Sequence, residues 1–163
     1  MDSVRLPLRP SYPIRLERVA LRPFVPSDFE AVHDMQSRPE LVRYLMWDVM
    51  DRDAVQAGIE IVAEAGMDAI RAKGIALTEY AIALTDDLLA TLGCTVGSPR
   101  DSSRRGAHVA IRHAEARRLT RQMIDRGVIP DFRAPDSIRI GLSPLSTSFA
   151  DVHAGISAIR DLL

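Results

Sequence analysis

The chain of 163 residues is poor in cysteine, lysine and aromatic residues, and it has no long apolar run. Its one cysteine, Cys94, excludes an internal disulfide and agrees with a reducing compartment. In its apolar setting Cys94 reads as a small core residue. The absence of any run of about 18 apolar residues argues against a membrane-spanning helix. Aromatics make up 5% of the chain and the formal net charge is -1, so a general attraction to nucleic acid is not indicated. Of the 21 basic residues all but one are arginine. The exception, Lys73, lies in Arg71-Ala-Lys-Gly74, where a solvated helix-surface lysine is expected. His33, His108, His113 and His153 have no metal-ligand spacing with one another or with Cys94, so no zinc site is expected. The first residues carry early charges and prolines in place of a signal-peptide apolar stretch, which points to cytoplasmic residence.

What is present is enough for a core. A hydrophobic content of 47% suits one ordinary domain or two small pieces. Prolines at 7, 10 and 13 predict a disordered leader over residues 1–11. Leu16, Val19 and Leu21 alternate imperfectly with charge in a predicted strand from Arg15 that Pro23 and Pro26 end. Ser27 with Glu30 predicts a capping box for a short helix from Asp28, Pro39 suits a second helix entrance, and Asp51 a third, with Val55, Ile59 and Val62 on one face.

From about Gly66 the texture changes. A long helix is predicted from Met67 to Ala90, stopped at Gly93, with Cys94-Thr-Val96 and His108–Arg112 as strands. Glu115 to Arg126 reads as a helix presenting Leu119, Met123 and Ile124 and closed by Gly127. Val128-Ile-Pro130 and Ser137–Gly141 read as extended pieces around a turn at Ala134-Pro-Asp136. Ser148 and Asp151 should cap a last helix with Val152, Ile156, Ile159 and Leu163 as its stripe. The expected fold class is α/β (α+β), a small sheet with helices.

Three blocks of this second part carry a family pattern. They are Met67-Asp-Ala-Ile-Arg-Ala-Lys-Gly-Ile-Ala-Leu-Thr-Glu-Tyr80, then Gly93-Cys-Thr-Val-Gly-Ser-Pro-Arg100 with Arg105-Gly-Ala-His-Val109, then Val128-Ile-Pro-Asp-Phe-Arg-Ala-Pro-Asp-Ser-Ile-Arg-Ile-Gly-Leu-Ser-Pro-Leu-Ser-Thr-Ser-Phe149. In this order they resemble the C-terminal small subdomain of kynureninase, over about residues 58–163. The resemblance implies a fold-type I pyridoxal-phosphate lineage that hydrolyses L-kynurenine to anthranilate and L-alanine in tryptophan catabolism and NAD biosynthesis. It also implies that Arg139 binds the substrate's α-carboxylate, since a guanidinium forks onto a carboxylate with two charge-assisted bonds. Taken alone, an arginine alternating with Ile138 and Ile140 reads as an exposed or salt-bridged strand residue. The family's Schiff-base lysine belongs to an upstream large domain, and Lys73 does not match it. The chain is therefore expected to be a fragment, inactive alone and without bound cofactor.

Residues 12–56 are similar to something else. Leu16-Glu-Arg-Val-Ala-Leu-Arg-Pro-Phe-Val-Pro-Ser-Asp-Phe-Glu-Ala-Val32 and Pro39-Glu-Leu-Val-Arg-Tyr-Leu-Met-Trp47 resemble the N-terminal strand and helices of GNAT-type N-acetyltransferases. That family's Gly-rich turn, which holds the acetyl-CoA pyrophosphate on a helix N-terminus, is not found in the right place. The expected organisation is a leader at 1–11, a GNAT-like fragment at 12–57 and the kynureninase-like subdomain at 58–163. An acetyltransferase and a non-catalytic association module are the alternative functions.

Arginines 100, 104, 105, 112, 117, 118, 121 and 126 stand against three acids in the same interval. They read as a solvated face or a docking surface rather than a nucleic-acid site. Ser98, Ser102 and Ser103 read as a plain surface loop rather than a phosphate cradle. No nucleic acid or membrane partner is expected, whereas self-association through exposed apolar surface, including that of the Gly66–Ala90 helix, is.

Overall fold

The computed structural model describes residues 11–22, 25–45 and 47–163. The expected leader over residues 1–10, and Pro23 as a strand stop, lie outside the described residues. The chain forms two compact units, residues 1–66 and 67–163, each treated by itself below. Residues 53–58, where the two resemblances are expected to join, lie inside one continuous helix, and the two units divide at Gly66, whose φ of 74° interrupts helical geometry.

In the first unit, Ile14–Arg15 (β1) pairs antiparallel with Ala20–Leu21 (β2). The predicted single strand is thus a hairpin. Its imperfect alternation has a cause: the Leu16 N–H donates to the Val19 carbonyl at 2.8 Å and turns the chain back. Phe29–Gln36 (α1) follows, but the predicted Ser27–Glu30 capping box does not form. Asp28 precedes the helix, with its carboxylate accepting from Arg22 at 2.6 and 2.7 Å and from the Val25 N–H at 2.8 Å. Glu30 is drawn away to Arg52, which donates to it at 2.7 and 2.5 Å. Pro39–Val42 (α2) begins on its proline as expected. Arg52–Ala65 (α3) is capped by Asp51, which accepts from the Ala54 N–H at 2.8 Å. Burial is sparse here: among the described residues only Val42 and Val55 are buried hydrophobics.

The second unit holds the core. Met67–Leu88 (α4) buries Gly74, Leu77, Thr78, Ala81, Ile82 and Thr85, a three-and-four spacing that forms one helical stripe. Thr78 and Thr85 are tolerated there because each hydroxyl donates to a carbonyl one turn back, Gly74 and Ala81 respectively. The chain then reverses at Gly93, φ 83°. Thr95–Val96 (β3), His108–Arg112 (β4), Asp131–Arg133 (β5) and Ser137–Gly141 (β6) make an antiparallel sheet in the order β3-β4-β6-β5. Ala116–Asp125 (α5) joins β4 to β5, and Phe149–Arg160 (α6) ends the unit.

Period-two alternation sends Val109, Ile111 and Ile138 from the sheet into the core, fully buried. They meet Leu77, Ala81, Leu119, Met123, Val152, Ile156 and Ile159 from the three helices. The small mixed α/β architecture is the one expected. Three local expectations change. Val128-Ile-Pro130 is no strand, because the Val128 N–H donates to the Met123 carbonyl and the Gly127 N–H to that of Ile124, closing α5 in a Schellman motif with Gly127 at φ 81°. Ile124 lies on the exposed side of α5, and Leu163 falls beyond α6 and is also exposed. The α4 helix keeps its apolar stripe covered, and the large exposed hydrophobics concentrate in the first unit, among them Leu16, Tyr44, Trp47, Ile59 and Ile61.

Candidate functional site

One sheet face packs on helices; the other carries the polar residues of the same strands. The register sets Ala110, Arg139 and Asp131 side by side across β4, β6 and β5, and Arg112, Ser137 and Arg133 in the next row. Arg139 therefore stands directly opposite Asp131, close enough for a cross-strand pair. Arg139 Nε donates to Asp131 Oδ1 at 3.0 Å and Nη2 to Oδ2 at 2.5 Å. Arg133 joins from the neighbouring position on β5, Nε to Oδ1 at 3.2 Å and Nη2 to Oδ2 at 2.8 Å. Burial works to raise the Asp131 pKa, but the bonds from Arg133 and Arg139 outweigh it and hold the carboxyl below its usual range. The Arg139 side chain stays 36% exposed, so the pair adds little to stability. Its interest is geometric: Asp131 engages Nε and Nη2 of Arg139, and no bond from Nη1 occurs among the described residues.

The other candidates are placed differently. Lys73 is exposed on α4 with no hydrogen bond or ion pair among the described residues. Cys94 is buried in the core as expected, and burial pushes its thiol pKa up. Among the described residues no group of three or more metal-capable side chains occurs. The arginine cluster is divided by partners. Arg105 is buried and donates to the Pro99 and Arg100 carbonyls at 2.7 and 2.8 Å, and to Glu79. Arg100 pairs with Asp86, Arg118 with Glu115, and Arg117 lies 4.3 Å over the Phe132 ring. In the serine loop, Ser98 Oγ accepts from the Ala110 N–H at 2.9 Å and Ser103 Oγ donates to Asp101 at 2.7 Å. The Ser98 hydroxyl thus ties the loop to β4, and that of Ser103 closes a turn on Asp101.

Sequence reasoning missed Asp131 and Arg133. A signal was there: Asp131 and Arg133 alternate on one strand, separated by a proline turn from Arg139. Only the register shows which charges meet.

Residues 70–159 match the Kynureninase C-terminal domain family. The chain belongs to that family. It is 38% identical over 105 residues to kynureninase of Geobacillus thermodenitrificans (strain NG80-2), covering 64% of this chain and 24% of that protein. To kynureninase of Pseudomonas fluorescens it is 35% identical over 109 residues, 67% of this chain and 26% of the other. To that of Burkholderia mallei (strain SAVP1) it is 32% identical over 127 residues, 77% and 30% respectively. The chain thus spans about a quarter to three tenths of the length of these curated relatives. It is of kynureninase lineage, and the family match lies wholly within the second unit. Among the described residues no helix is long and apolar enough to cross a membrane.

A pyridoxal-phosphate site of the kind the resemblance implies needs an enclosed amine, an acid against the ring nitrogen and a phosphate cup. Lys73, solvent-exposed on α4, does not meet the first requirement. The chain's one lysine therefore does not fit the role of the cofactor's amine.

Proposed function

We propose that the second unit is the carboxylate-recognising part of a kynureninase. Arg139 would take the α-carboxylate of L-kynurenine in a pyridoxal-phosphate-dependent hydrolysis to anthranilate and L-alanine, while this chain does not turn over substrate alone. The carrying observation is the Arg139 guanidinium, standing on an inner strand of the sheet, fastened to Asp131 through Nε and Nη2 while its side chain stays 36% exposed. Such a fork fixes the orientation of a carboxylate through two charge-assisted bonds. It orients and does not react. The electron-accepting chemistry belongs to the cofactor, and Lys73 as placed offers it no seat.

The test uses the purified chain with pyridoxal phosphate and L-kynurenine. Expected are no visible absorbance of a lysine aldimine, no anthranilate fluorescence, and a ligand-induced shift of the Arg139 side-chain NMR signal. Anthranilate release that disappears in Lys73→Ala would show a self-sufficient enzyme and overturn the reading, and so would an Arg139 signal indifferent to L-kynurenine.

For residues 12–56 we infer acetyltransferase ancestry without its chemistry. The ancestry rests on the resemblance of residues 16–32 and 39–47 alone; the missing chemistry rests on composition, since the only glycines before Met67 are Gly58, inside α3, and Gly66 at its end, so no Gly-rich turn precedes a helix there. Acetyl-CoA at saturating concentration is expected to leave Tm unchanged, and a rise would revive the acetyltransferase.

A further inference from the structure

A guanidinium has two edges that can fork a carboxylate, one made by Nε with an Nη and one made by both Nη atoms. Asp131 takes the first edge of Arg139 with bonds of 3.0 and 2.5 Å. It does so from the facing position of the adjacent strand, so its place is set by the sheet register and not by a mobile loop. Each Asp131 oxygen also receives a bond from Arg133, which stops the carboxylate from rotating away. A long side chain on an open face is thereby held in one pose.

We propose that Asp131 is a positioning residue for carboxylate recognition, locking Arg139 through Nε and Nη2 so that the Nη1 edge faces an incoming α-amino-acid carboxylate. This rests on the reading of Arg139 as the substrate's carboxylate anchor. Pre-organisation is the physical gain: a fork already immobilised loses less rotamer freedom when the ligand binds. A rival role has the opposite sign. Were Asp131 only a competitor for the fork, or only a nearby negative charge, removing it would tighten carboxylate binding. Its depressed pKa keeps it ionised through the neutral range, so the lock is present wherever the ligand carboxylate is.

The experiment follows arginine Nε–Hε signals of the full chain by NMR, with Arg139 assigned from Arg139→Lys and L-kynurenine as titrant. In the wild type the Arg139 Hε should be protected from solvent exchange, and Arg139→Ala should abolish ligand binding. Asp131→Asn should lose that protection and weaken L-kynurenine binding by about tenfold, the loss expected for one charge-assisted contact. Binding that is unchanged or tighter in a folded Asp131→Asn overturns the positioning role while leaving Arg139 as anchor. No binding by the wild type, or equal binding by Arg139→Ala, overturns both. Should Asp131→Asn fail to fold, Asp131→Glu carries the same test: it keeps the charge and moves it by one methylene. Weaker binding supports the lock, and equal or tighter binding sinks it.

Discussion

Arg105 and Glu79 form an ion pair of unequal partners: the guanidinium side chain is 1% exposed and the carboxylate side chain 52%. The buried member has further duties. Arg105 holds the carbonyls of Pro99 and Arg100, while Arg71 donates to the carbonyls of Arg105, at 3.0 Å, and Ser102. Two arginines thus pin the 97–106 loop against α4.

Their asymmetry predicts unequal costs. Arg105→Met leaves two carbonyls short of a donor and should cost about 2–3 kcal/mol. Glu79→Gln removes only a half-exposed charge and should cost less than about 1 kcal/mol. Urea midpoints of the two variants measure the difference, and equal losses would contradict this account of the loop.

Leu77 is fully buried at the centre of the α4 stripe. Leu77→Ala should destabilise the second unit by about 3 kcal/mol, through lost transfer energy and a residual cavity. Ile124→Ala, on the exposed side of α5, should change stability by less than about 0.5 kcal/mol. Denaturant unfolding followed by circular dichroism separates the two.

Acid should weaken the fold by a route with a defined sign. The bonds from Arg22, and next the Val25 N–H, lower the Asp28 pKa to about 2. Asp151 is lowered by its bonds with Ser148 in the α6 capping box, and Asp131 is lowered as described above. A depressed carboxyl contributes stability that is complete above its unfolded pKa, near about 4, and is lost as pH falls through the folded value. Urea midpoints should therefore fall from about pH 4 downward and stay flat above about pH 5. Asp28→Asn should flatten the part of this slope that belongs to the first unit, and an unchanged slope would contradict the assignment.

Exposed apolar surface in the first unit should drive self-association. Val32, Met50, Val55, Ile59 and Val62 line a groove of about 440 Å³ between α1 and α3. Leu16, Tyr44 and Trp47 are exposed as well. Surface of this kind commonly marks association. Light scattering across a concentration series should show mass rising above that of one chain, and Ile59→Glu should reduce it. A monodisperse monomer at all concentrations would refute the expectation.

Much of the second unit was legible along the chain, because local chemistry there agrees with the final packing. Ser148 and Asp151 do cap α6, Gly127 does close α5, and the Val109–Ile111 and Ile138 alternation does mark the buried sheet face. The first unit was harder to read, because its elements are short and little is buried to enforce a pattern. A charged turn at Leu16–Val19 splits what looked like one strand, and Arg52 draws Glu30 away from the expected capping box with Ser27, while Asp28, tied to Arg22, takes the cap position.

By itself the sequence determined the lineage, the α/β class and Arg139 as the residue to watch, since these reside in residue order and in periods of two and of three to four. Only the tertiary structure decided what Arg139 meets. Antiparallel register places Asp131 opposite it and brings Arg133 onto the same carboxylate, and a pairing between strands on either side of a turn is set by backbone hydrogen bonds that residue order does not display.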